Sequence, residues 1–132
     1  MSNPASNILT IFNDHFVEFI TDIHNVFPED TDILTAKNSL MAIRKANPKL
    51  IVKIWIKYVA TPYHDRILAG DVNFFIEKDY ANDLTRSGHA DQIMESIDRL
   101  RNPVKQMNPE NQQKTMKYIQ NLCKLAHMVP NV

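Results

Sequence analysis

Glycine is nearly missing from this chain: Gly70 and Gly88 are the only two in 132 residues. A β-rich domain turns at many tight positions where φ must be positive, and two glycines are too few for that. Cysteine is rarer still. Cys123 stands alone, which excludes an internal disulfide and suits a reducing compartment. No apolar run approaches the ~18 residues of a membrane span, and Met1 to Ser6 lacks the basic stretch that opens a secretory leader. Neither membrane insertion nor secretion is therefore expected. There is no Gly-rich phosphate loop, no Cys-x-x-Cys, no Gly-x-Ser-x-Gly and no Glu-x-x-His pair of the helical di-iron kind. No cofactor and no enzymatic reaction are expected.

Acids are absent from a whole quarter of the chain. Ile33 to His64 carries six bases, Lys37, Arg44, Lys45, Lys49, Lys53 and Lys57, and no acid. The 32 residues before it carry six acids, Asp14, Glu18, Asp22, Glu29, Asp30 and Asp32, and no base. The second half repeats the order more loosely: eight acids against three bases from Asp65 to Asp98, then six bases against one acid. The formal net charge of zero hides this sorting. Sorted local fields choose partners and orientations, and a neutral chain lacks the repulsion that keeps copies apart.

The 44% apolar content and the length suit one globular domain spanning residues 1–132. Four of the seven prolines follow asparagine, at Asn3-Pro4, Asn47-Pro48, Asn102-Pro103 and Asn108-Pro109. An asparagine N-cap followed by proline opens a helix well, since the side chain accepts a free first-turn N–H and proline has none to waste. Thr61-Pro62 reads the same way. The apolar spacing then predicts a helix from Pro4 to Val26, with Leu9, Phe12, Phe16, Phe19, Ile23 and Val26 as its seam, widened by Ile8, Ile11, Ile20 and Phe27. A second is predicted from Thr31 to Ala46, and a third from Pro48 to Ala60. A short helix from Pro62 to Ala69 should close at Gly70 as C′, with Asp71 capping the next, along which Val72, Phe75, Ile76 and Tyr80 align. Residues 80–88 read as loop. Asp91 to Arg101 and Pro109 to Met128 complete an all-α domain of six or seven helices, with helical structure resuming after Pro103 and a flexible tail at 129–132.

The third helix stands out. Lys49, Lys53 and Lys57 form one narrow basic stripe, and nearly everything else is apolar, over about two-thirds of the circumference. It is either the central helix of the domain or a helix with a second molecule on its far side. On the second view Val52, Trp55, Ile56 and Val59, with Phe74, form a protein interface. The acidic face of the first helix (Asp14, Glu18, Asp22) and the lysine stripe (Lys49, Lys53, Lys57) would set orientation. Nucleic acid is the alternative partner for the basic 37–57 block. Against it, the chain has no basic excess, and Trp55 lies about half a turn from the lysines. His15, Glu18 and Asp22 read as a solvated acidic face rather than a metal site, and Cys123 with His127 as an apolar row rather than a nucleophile and its base.

Phe74-Phe75-Ile76-Glu77-Lys78-Asp79-Tyr80, Leu100-Arg101-Asn102-Pro103-Val104 and Met116-Lys117-Tyr118-Ile119-Gln120-Asn121-Leu122 give the last two-thirds of the chain a resemblance to small helical proteins of nucleocytoplasmic large DNA viruses. The resemblance implies a virion structural or minor capsid component, located in the virion or the cytoplasm of an infected cell. Its partners would be capsid proteins or copies of itself. An intracellular adaptor that docks a partner helix is the remaining expectation.

Overall fold

The structure is a computed structural model and describes residues 4–77 and 88–130. Helix α1 spans Pro4–Val26 and buries Phe12, Phe16, Phe19, Ile20 and Ile23 along the expected seam. Its outer members behave otherwise: Ile11 is 51% and Val26 36% exposed. Helix α2, Thr31–Ala46, opens on Asp30, whose carboxylate accepts from the Asp32 and Ile33 amides at 2.8 and 3.2 Å. It buries Ile33, Ala36 and Leu40.

Helix α3 covers Leu50–Trp55 and runs on as a π-helical turn, Ile56–Ala60. The wider turn has a cause in the sequence. Pro62 has no N–H for Tyr58, and its ring would crowd the carbonyl four residues back. An inserted residue relieves this, and Thr61 N–H reaches back five residues to Ile56 O at 3.0 Å. The chain turns over 61–63, so Thr61-Pro62 does not open a helix; α4 begins later, as His64–Leu68. Gly70 has φ +72° and ends it as predicted. Helix α5 is one turn, Asn73–Ile76, with Asp71 accepting from the Asn73 amide at 3.0 Å. The helix stops at Ile76 instead of running toward Tyr80, because Glu77 is extended backbone; Tyr80 and the predicted loop up to 87 lie outside the described residues, and Gly88, expected in that loop, is helical.

Helix α6, Gly88–Gln106, is longer than predicted at both ends and carries Pro103 inside it. Asn102-Pro103 is therefore not a helix opening. Helix α7, Pro109–Met128, does open on such a pair: Asn108 accepts from the Asn111 amide at 2.8 Å. Asn47 instead closes α2, its amide donating to Ile43 O at 2.8 Å. Asn3 lies outside the described residues. Val129, expected in a flexible tail, is buried.

The described residues form seven helices and no strand, in one compact domain. Helix α1 packs against α2 and α7, and α2 against α6. Helix α3 fills the space between, touching α1, α2 and α6, while its π turn reaches α4 and α7. That position overturns the interface expected on the third helix. Val52 and Trp55 are fully buried, Val59 and Phe74 are 2% exposed, and Ile56 is partly buried against the same core. Trp55 meets Phe16 edge-on at 5.2 Å, and Phe74 packs with Tyr63 and Phe75 at 5.4 and 6.1 Å. Outside its lysine stripe the helix is apolar because five elements of its own chain pack against it and its π turn. No described helix is long and apolar enough to cross a membrane.

Candidate functional site

The π turn and α4 leave a cleft against the C-terminal half of α7. Ala60, Ile67 and Leu68 line one side; Gln120, Cys123, Lys124 and His127 line the other, with His64 at the rim. Gln120 Nε2 donates to Ile67 O at 2.9 Å, so α7 satisfies a terminal carbonyl of α4 and fixes the width of the opening. A salt bridge from Arg66 to Asp71 at 3.0 Å, with Glu77 at 3.6 Å, steadies the end of α4. The guanidinium holds the Asp71 carboxyl below the usual range, helped by the Asn73 amide. The cleft encloses about 270 Å³. Its floor is apolar, its rim carries Lys124 and two histidines, and none of the lining residues is acidic. Leu68 is 68% exposed beside it, and Met128, next to His127, is 58% exposed.

Cys123 sits in the cleft wall. Burial pushes its thiol up to about 11, and the Trp55 indole N–H behind it acts weakly the other way. That indole N–H makes no hydrogen bond of ordinary geometry and is an orphan buried donor. At neutral pH the thiol is protonated, so with His127 it forms a binding wall rather than an activated nucleophile. Among the described residues no group of three or more His, Cys, Asp and Glu could hold a metal ion.

The charged residues expected to orient a partner are divided between two places. Asp14 pairs with Arg44 of α2 at 2.6 Å. Glu18 accepts from the Tyr118 hydroxyl at 3.3 Å and lies 3.7 Å from His15 Nδ1. Glu18 and Asp22 share a groove of about 290 Å³ with Lys114 and Lys117 of α7. Burial, then the charges of Glu18 and Asp22, raise the Tyr118 pKa. The acidic face of α1 thus meets α2 and α7, and the expected complement in the third helix is not its partner. Lys49, Lys53 and Lys57 are exposed and have no ion-pair partner among the described residues.

Sequence reasoning missed the cleft itself. Its two signals were present: Thr61-Pro62 at the end of an apolar run, and the i, i+4 pairs Gln120–Lys124 and Cys123–His127 along α7. Neither spacing says what lies opposite. No protein-family model matches the chain, and neither a curated protein nor a solved structure matches it.

Proposed function

We propose that this chain is a non-enzymatic protein-assembly component that seats an apolar side chain of a protein neighbour in the α4–α7 cleft. The observation that carries the reading is an apolar recess with Lys124 on its rim and no acid in its lining, where Leu68 is left 68% exposed. Its volume of about 270 Å³ lies just under the roughly 300–1,000 Å³ usual for small-molecule sites, and suits one or two apolar side chains. Apolar anchors seated in such recesses dominate the energetics of protein interfaces, while rim charges guide approach. The protonated Cys123 thiol supports a binding role over nucleophilic chemistry.

The test is chemical cross-linking of the wild type and Leu68→Glu in the cell that makes the protein. The variant changes an exposed position, so its thermal melt should match the wild type while its cross-links to a defined neighbour disappear. An unchanged set of cross-linked neighbours rejects the cleft as the contact. The resemblance to proteins of large DNA viruses extends the reading to a virion or minor capsid component. The chain should then be present in many copies in purified particles, and its absence from them rejects that extension.

One observation favours nucleic acid as a second reading: Lys49, Lys53 and Lys57 are exposed and in no ion pair among the described residues. The burial of Trp55 takes away the ring that would stack on a base, which leaves phosphate contact alone.

A further inference from the structure

Resting on the cleft reading above, we infer that the cleft's occupant is the α1–α2 corner of a second copy of this chain. The corner presents Val26, 36% exposed, and the exposed ring of Pro28. Asp22 and Glu29 flank it, and neither is in an ion pair among the described residues. The Glu29 carboxylate beside this apolar point is the chemical complement of the Lys124 ammonium on the rim of the apolar recess.

The corner is also held in shape before it meets anything. Phe27 N–H donates to the Ile23 and His24 carbonyls, and Asp30 N–H to Phe27 O at 3.0 Å. The His24 ring donates from Nε2 to Pro28 O at 3.1 Å. A preformed turn loses little conformational freedom on docking, and that loss is a main cost of association. Size agrees. An apolar cavity of about 150 Å³ takes one benzene-sized group, so the cleft's 270 Å³ accepts a valine side chain together with a proline ring.

A second copy fits better than an unrelated chain because both halves of the contact are on this one, and its zero net charge gives copies no mutual repulsion. The two surfaces share no residue. Contact between them is heterologous, so copies add in a row or close into a ring.

Sedimentation velocity across a concentration series tests this with two variants, Val26→Lys and Leu68→Glu. The wild type should show concentration-dependent species larger than the monomer. Each variant alone should weaken association about tenfold or more. Mixed in equal amounts they should associate again, because each retains the surface that the other has lost. Should either variant lower the thermal melt, Glu29→Lys and Lys124→Glu replace the pair and are expected to behave the same way. A wild type that stays monomeric, variants that associate undiminished, or a mixture that fails to recover overturns the inference. If Leu68→Glu loses its cross-linked neighbours while Val26→Lys keeps them, the cleft binds another protein and only the homotypic occupant is rejected. If neither variant changes association or cross-links, the assembly reading fails with it.

Discussion

Trp55 has no exposed surface, and its ring stands edge-on to Phe16 in the middle of the molecule. Emptying such a position removes the transfer energy of an indole and leaves a cavity that the close-packed surroundings fill only in part. Trp55→Ala should therefore cost about 3–5 kcal/mol of folding stability, read from the urea midpoint at constant slope. A variant of unchanged stability that instead associates poorly would put Trp55 back on the surface. Cys123 offers a second measurement at this scale. Its thiol is raised from 9.0 to about 11 by burial, so the folded protein holds a proton that the unfolded chain releases first. The contribution to stability is complete below pH 9 and is lost as pH rises toward 11. Tyr118, also raised, adds loss of the same sign once pH passes 10. Cys123→Ser should flatten the fall in melting temperature between pH 9 and 11. With its thiol raised to about 11, Cys123 carries about a hundredfold less thiolate at pH 8 than an ordinary cysteine, so alkylation should be slower by a similar factor. Rapid labelling of the native protein would contradict a half-buried thiol held protonated.

Helix ends follow local rules where the chain supplies a side-chain acceptor. Asp30 satisfies two first-turn amides of α2 and also closes the corner after α1. Asp30→Ala should cost about 1 kcal/mol, and Asn108→Ala a similar amount at α7, each measured by chemical denaturation. The Asn108 cap was legible because the cap and the amide it satisfies are three residues apart, whereas the Asp30 cap, equally local, was not singled out in the sequence. The asparagine–proline pairs make the opposite point. One opens α7, another closes α2, and a third lies inside α6, because proline removes the same N–H in each setting and only the neighbours decide whether that N–H was needed. Arg101, just before the pair, ties α6 to α5. Its side chain lies 12% exposed, pairs with Asp98 at 2.7 Å and donates to Phe75 O, and its guanidinium sits 5.1 Å from the Phe75 ring. Arg101→Ala should cost about 1.5–3 kcal/mol, the usual worth of hydrogen bonds to a charged group, and should loosen α5 first in hydrogen exchange.

Charge is distributed over the whole molecule differently from its order along the chain. The described arginines are held in ion pairs within the domain, Arg44 with Asp14, Arg66 with Asp71, Arg99 with Asp32 and Arg101 with Asp98. The lysines of α3 and its π turn face solvent instead. Three such lysines neutralise at most three phosphates. At about 0.9 counterions per contact, affinity for duplex DNA should fall roughly 40-fold between 50 and 200 mM salt. Retention on a DNA column should be lost at the higher salt, and Lys49→Glu, Lys53→Glu and Lys57→Glu together should remove what remains at low salt. Retention that survives 200 mM salt would require a larger basic footprint than this stripe.

The residue order by itself determined the helical class, the buried seam of α1, the cap at Asn108 and the stop at Gly70. Each depends on groups within a turn or two of one another, where periodicity and hydrogen-bond valence suffice. Tertiary structure alone decided that the apolar faces of α3 are covered, that the acids of α1 meet α2 and α7, that Leu68 stays in water beside an open cleft, and that Val26 is left exposed at the α1–α2 corner. Helical phase gives the direction in which a side chain points, whereas burial depends on what stands in that direction, and that is set by elements tens of residues away along the chain.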